Sequence, residues 1–446
     1  MIQTPFALRT KQPDSADSSV QLGGLVFVLI VGFFLPAALL PFHFARQLTR
    51  EQDGYAFTLI PHTAWGFCLL GSVALLGWYS RARSAKLGLV NASAICLCIY
   101  MFLFCATPSP FLAGWSLFFL SQCLQGRERQ LTLTTLKVLL ALHVVIAYIA
   151  YALHFHQFHS PYVGYRASGL YGTPFELTPH MLVFFFILLA ELLQHPPSWR
   201  TPWRLNAPFF VLVLLLLTYT RGCYVGLAAG LGCIALFQSR PRRYVLLLSA
   251  AVLIIGCFWL RSDKHISTQR LLHDNSTRTR ISDWFSGLES SLSNYPWLGA
   301  NALVHPSDLS NGAGIHTLIS RAFDRWLEAG AQQFSDNYNI IVDYNLCIGF
   351  LHGYGAVGLT LFLLLVLALF YWLGQQLQSP DLPLTQNGLA LATLGAWTAL
   401  IVTSLFDPSV FLDINLYAGL ISLLLLTGLA LSRRFDVIVS KSPSAV

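Results

Sequence analysis

Long apolar runs recur along nearly the whole of this sequence, and one long polar stretch, residues 261–345, interrupts them. The run LCIGFLHGYGAVGLTLFLLLVLALFYWL at 346–373 contains no charged side chain. About 20 such residues cross the hydrocarbon of a bilayer as a helix, and lipid offers the backbone no hydrogen-bond partners of its own. With 446 residues, 55% hydrophobic and 11% charged, and a mean hydropathy of +0.59, a soluble fold has no means of covering the apolar surface. A transmembrane barrel would show short alternating strands instead of unbroken runs. The fold class is therefore an all-α polytopic membrane protein.

The runs predict twelve transmembrane helices, at 22–45, 56–79, 86–105, 108–124, 135–155, 179–194, 207–220, 222–238, 243–260, 346–373, 384–406 and 414–432. The chain then divides into a tail (1–21), helices one to nine (22–260), a large loop (261–345), helices ten to twelve (346–432) and a second tail (433–446). No signal peptide is expected, because the first run is full length and lacks a small-residue cleavage pattern.

The net charge of +7, from 27 Lys+Arg against 20 Asp+Glu, would suggest a nucleic-acid partner in a soluble domain. Its distribution points to a membrane instead. Sixteen of the 27 basic residues fall in alternate short connections and the two tails, among them Arg81, Arg83, Arg127, Arg129, Arg240, Arg242 and Arg243. Short cytoplasmic loops gather Lys and Arg, whereas long loops are largely exempt. Both termini are thus expected in the cytoplasm and 261–345 outside it.

All nine cysteines lie within or at the ends of apolar runs, so neither a disulfide framework nor metal-ligand spacing is present. His154, His156 and His159 cluster in the loop HFHQFHSPYVGYRASGLYGTPFELTPH, but no neighbouring Cys or acid completes a metal set. No metal and no cofactor are expected. The same loop carries Arg166. Arg221 lies in TYTRGCY, between two apolar runs, where a charge is costly unless it reaches water or an anion. Placement at the tip of a tight outward hairpin, as a snorkelling or a functional charge, resolves that cost.

Within the long loop, two segments have helical apolar periodicity. In 278–293, Ile281, Trp284, Phe285, Leu288 and Leu292 share a face; in 316–329, Ile319, Ala322, Phe323, Trp326 and Leu327 do so. Such helices lie on a membrane surface or lid the bundle. Their polar faces carry Arg280, Arg321 and Arg325.

Four segments together resemble the O-antigen ligase / Wzy-type polymerase superfamily of bacterial envelope glycosyltransferases: YRASGLYGTPFELTPH, TYTRGCYVGLAAG, RISDWFSGLESSLSNYPWLGAN and NLCIGFLHGYGAVGLTLFLL. They cover about 166–359, in family order, with the large loop where the family has its own. Ligases of the family carry a His-Asn pair upstream of the first glycine of the last segment. Here Tyr344-Asn345 stands there, or Asp336-Asn337 in a slipped register, so the polymerase branch, with its arginine-bearing third and fifth periplasmic loops, is the better match.

The resemblance implies transfer of a glycan from undecaprenyl diphosphate to an acceptor hydroxyl, without ATP. Leaving-group charge calls for cations, and the arginine fork pairs bidentately with phosphate oxygens. Arg166 and Arg221 are the candidate diphosphate clamps, with Arg280 and Arg321 as further positive contacts. Acceptor deprotonation calls for a carboxylate or imidazole. Asp336 and Asp343 come first, then His316 and His352; Tyr344 and Asn345 are candidates for sugar contacts. Each competes with a plainer role as a solvated loop residue. Implied partners are the lipid-linked glycan, the bilayer, and the flippase and chain-length regulator of one pathway, with no nucleic acid. The rivals are a ligase, a non-catalytic assembly partner and a twelve-helix secondary transporter, though the sequence lacks the two similar halves usual in transporters.

Overall fold

The computed structural model describes residues 24–31, 62–82, 88–105, 109–124, 126–154, 158–160, 164–169, 174–195, 203–259, 275–294, 296–303, 317–322, 345–379, 384–406 and 417–432. Its long elements are α1 (His62–Ala82), α2 (Leu89–Phe104), α3 (Ser109–Ser121), α4 (Gly126–Ala152), the strands β1 (Phe158–Ser160) and β2 (Gly164–Arg166), α5 (Pro174–Gln194), α6 (Trp203–Leu217), α7 (Arg221–Ala235), α8 (Arg240–Trp259), α9 (Asn275–Asn294), α10 (Leu346–Gln378), α11 (Leu384–Phe406) and α12 (Tyr417–Leu431). Helical residues also occur at 24–31 and 317–322. Every predicted run therefore contains helix, and the chain is an all-α membrane protein. Four of the described helices, within α4, α5, α10 and α11, are long and apolar enough by themselves to cross a membrane; six others are apolar but shorter.

The bundle is centred on α11, which packs against α7, α5, α10 and α12, while α12 also packs on α3. Gly222, Gly226 and Gly230 recur every fourth residue of α7, so a smooth strip faces α11. A Cβ on Gly226 would run into Thr403 and the Ala399 carbonyl, and one on Gly230 into Phe186 and the Gly395 carbonyl. Close approach lets Thr403 Oγ1 donate to the Gly222 carbonyl at 3.3 Å. Trp397 Nε1 donates to Thr427 Oγ1 at 2.8 Å inside the α11–α12 contact, so the indole N–H is satisfied away from water. By contrast α4 and α10 leave apolar residues such as Val138, Val145, Leu364 and Leu367 on the outside, as lipid-facing helices do.

Three expectations need correction. α4 starts nine residues before the predicted 135, because Gly126 to Thr134, with Arg127 and Arg129, continue the helix that the apolar run begins. α10 extends to Gln378 and is broken at Gly355. The buried stripe of α9 is rotated: Trp284, Gly287, Leu288 and Ser291 turn inward or partly so, whereas Phe285 and Leu292 are exposed. Apolar periodicity cannot tell a side chain that packs on protein from one that faces lipid, which explains the rotation. The tails 1–21 and 433–446, and most of the predicted helix 316–329, lie outside the described residues.

Candidate functional site

Two irregular seams occupy the end of the bundle at which Phe104, Pro174, Leu217, Arg221, Leu346 and Phe406 begin or end their helices. The first joins α6 to α7. Residues Thr218 to Thr220 separate the helices, and Tyr219 adopts φ +50°, a left-handed conformation unfavourable for a side chain bearing a Cβ. A helix C-terminus leaves four carbonyls without intrahelical partners. Here those of Leu215, Leu216 and Leu217 are taken up from three directions. Thr218 Oγ1 donates to the Leu215 carbonyl at 2.7 Å, and Tyr224 Oη to that of Leu216 at 2.6 Å. The amide of Ala167 reaches the Leu217 carbonyl at 2.9 Å.

The remaining contact is made by Arg166. The hairpin of β1 and β2 pairs Phe158 with Arg166 and delivers that arginine to the seam. Its Nε donates to the Thr218 carbonyl at 2.8 Å and its Nη2 to Thr220 Oγ1 at 3.3 Å. The guanidinium thus lies at the negative end of α6, where a cation is stabilised.

Arg221 follows Thr220 immediately and is the first residue of α7. Sequence reasoning put it at the tip of a tight hairpin. It does stand at the turn, yet α6 packs on α5 whereas α7 packs on α11 and α8, so the two helices diverge. Thr220 is the N-cap residue but its side chain makes no capping hydrogen bond. A cation in the first helical turn opposes the positive end of the dipole, and an anion there is favoured. The seam therefore brings Arg166 against the two threonines that precede the start of α7, with Arg221 next in the chain.

The second seam is the break in α10. Gly355 has φ +66°, and a Cβ on it would overlap the Trp297 carbonyl; Gly299 has φ +79° and lies as tightly against the Gly353 backbone. The segment 296–301 is laid along the broken ladder. Ala300 and Asn301 amides donate to the His352 and Gly353 carbonyls at 2.6 and 3.0 Å, and Ala356 and Val357 amides donate to the Pro296 and Trp297 carbonyls at 2.9 and 3.3 Å. Tyr100 Oη of α2 completes the set by donating to the Tyr354 carbonyl at 2.7 Å. A bridge between Cys105 and Ala302 continues the attachment towards α2. Broken backbone at membrane depth is tolerated when it is resatisfied in this way.

His352 sits just before this break, buried, with Nδ1 3.2 Å from the Oγ of buried Ser291 on α9. Asn345 is the N-cap of α10, its side chain accepting the Ile348 amide at 2.9 Å. Arg280 lies on α9, about three turns before Ser291 at 3.6 residues per turn. Arg321 is an exposed residue of the helical stretch 317–322. Asp336, Asp343, His316 and Tyr344 lie outside the described residues. Of the candidates, then, Arg166 and Arg221 stand at one seam and His352 at the other, while Asn345 caps the start of α10, ten residues before the break.

Sequence reasoning missed Ser291, Tyr100, Thr218 and Thr220. Ser291 carried a signal: a hydroxyl seven residues after Trp284 and three after Leu288 falls on their face of a helix. His154, at φ +52°, packs its ring 4.7 Å from that of Tyr165. Among the described residues no group of three or more His, Cys, Asp or Glu is placed to hold a metal ion. No family model matches the chain, and no curated protein matches it in sequence.

Proposed function

We propose that this protein polymerises oligosaccharide repeat units carried on undecaprenyl diphosphate, at the periplasmic face of a bacterial inner membrane, with twelve spans and both termini in the cytoplasm. The observation that carries this reading is the α6–α7 seam. Arg166 has a structural reason for its place, at the carbonyl end of α6. Arg221 adds positive charge to the positive end of α7, whose N-cap side chain makes no capping bond. An incoming diphosphate would satisfy helix end and arginine together.

In the proposed reaction the bond between the anomeric carbon and the diphosphate oxygen breaks, and the anomeric carbon bonds to the acceptor hydroxyl. The carrier diphosphate leaves with the bonding electrons, its charge met by Arg166 and Arg221, with Arg280 and Arg321 as outer contacts. The hydroxyl proton passes to a base, for which Asp336 and Asp343 stand first and His316 and His352 next. Ser291 would orient the His352 imidazole through its hydrogen bond. Tyr344 and Asn345 remain sugar-contact proposals, although the carboxamide oxygen of Asn345 already caps α10. No metal or cofactor enters the scheme.

Of the rivals, a transporter would use broken helix ends to line its substrate site. The break in α10 instead has its peptide groups occupied by residues 296–301 and Tyr100. A ligase would use the same seam on a different acceptor. The length distribution of surface polysaccharide in a strain lacking the gene separates these. Single repeat units on the acceptor, restored to long chains by the wild-type gene, support the polymerase. Polymer stranded on its lipid carrier supports the ligase, and an unchanged polysaccharide overturns both.

A further inference from the structure

Among the described residues, two other than glycine adopt positive φ, His154 at +52° and Tyr219 at +50°. Each closes a helix. The His154 amide donates to the Tyr151 carbonyl at 3.3 Å just after α4, and the Tyr219 amide to the Leu216 carbonyl at 3.1 Å just after α6. Glycine or asparagine usually fills such a left-handed position, because a Cβ there meets the following carbonyl oxygen. Both rings belong to the α6–α7 seam. Tyr219 stands between Thr218 and Thr220, the two residues that Arg166 contacts. The His154 ring lies 4.7 Å from that of Tyr165, the residue before Arg166 in β2. Tyr151, one turn before His154 on α4, has its phenol within electrostatic reach of Tyr219.

We propose that Tyr219, Tyr151, His154 and Tyr165 form a platform for one pyranose ring, that of the sugar bonded to the diphosphate. The inference rests on the diphosphate site proposed at Arg166 and Arg221 and names what lies beside it. Three observations carry it. First, the rings are accessible: Tyr219 is 41% and Tyr165 45% exposed, and His154 is exposed as well. Second, an aromatic side chain is kept at two helix ends where glycine would relax the backbone. Strain of this kind gathers at ligand sites, whereas an aromatic belt at a membrane surface needs rings but no strain. Third, the rings flank both arginines along the chain, Tyr165 next to Arg166 and Tyr219 two residues before Arg221. The weakly positive C–H face of a pyranose suits the negative face of an aromatic ring. Tyrosine hydroxyls and an imidazole at the rim offer hydrogen bonds that sugar hydroxyls can use and an acyl chain cannot.

The test uses the full chain in lipid nanodiscs and compares farnesyl diphosphate with farnesyl-diphosphate-linked N-acetylglucosamine by isothermal titration. Wild type should bind the sugar-bearing ligand about tenfold more tightly. Tyr219→Gly and His154→Gly should each lower that ratio, the first to about one, while the thermal midpoint holds or rises because glycine relaxes the turn. Tyr219→Phe keeps the ring and should keep most of the ratio. Tyr244→Ala, which removes an exposed ring on α8, should leave it unchanged. Equal affinity of the wild type for the two ligands, or a full ratio in both glycine variants, would overturn the platform and leave the diphosphate site standing. Binding of neither ligand would contradict the diphosphate site itself, and the platform with it.

Discussion

The two seams end their helical ladders by different means. At the break in α10, five peptide groups between His352 and Val357 are met by the backbone of 296–301 and by the Tyr100 hydroxyl. The contacts are short, mutual and independent of side-chain charge, and the two glycines at positive φ leave no room for alternatives. At the α6–α7 turn, the carbonyl end of α6 is closed by Arg166, Ala167, Thr218 and Tyr224, yet α7 opens on an arginine without a side-chain cap. The first seam is finished by the protein alone. At the second, the carbonyls of α6 are met while the N-cap side chain of α7 makes no capping bond, and the difference teaches where a ligand has something to contribute.

That contrast can be broken by substitution. Removing Arg221 should cause the largest loss of transfer, about 10²–10³-fold, comparable with deleting one preorganised donor to a developing anion. Its thermal unfolding should stay at the wild-type midpoint. Gly355→Ala should do the reverse of this, costing about 3 kcal/mol or more of stability through a Cβ forced against the Trp297 carbonyl at positive φ. Detergent-solubilised unfolding curves would record it, and an unaltered midpoint would mean that the clamp is not rigid.

Arg166→Lys sharpens the comparison, because charge is kept while the fork that spans Thr218 and Thr220 is lost. Both quantities should fall modestly, stability by about 1 kcal/mol and transfer by about tenfold. Loss of transfer alone would show that the contacts with the α6 terminus matter little. Asn345→Ala should have the smallest effect, about 1 kcal/mol for a lost N-cap. If transfer drops while the unfolding midpoint holds, Asn345 contacts substrate, and the capping role is secondary.

Much of this was legible in the sequence for a simple reason: a chain in lipid must form helices wherever it is apolar, so run lengths forecast elements. The same logic singled out Arg221, as a charge between apolar runs, whereas Arg166 entered through its loop and the family resemblance. What stayed hidden depended on neighbours far along the chain. That Pro296 to Asn301 would lie along Gly353 to Val357 follows from two glycine backbones meeting, and no periodicity encodes that meeting. The inward turn of Ser291 in place of Phe285 was hidden because lipid and protein interior both accept apolar groups. The start of α4 was misplaced because Arg127 and Arg129 look like loop residues; Lys137, already inside the predicted helix, pairs across to Glu191 of α5.

The most direct test of the central claim is turnover by the purified protein, reconstituted in vesicles with a polyprenyl-diphosphate-linked oligosaccharide, comparing wild type with Arg221→Ala at equal folded fraction. The account predicts lengthened glycan and released carrier diphosphate from the wild type, and about a hundredfold less of both from the variant. Equal turnover by the two proteins, or none by the wild type, would contradict it.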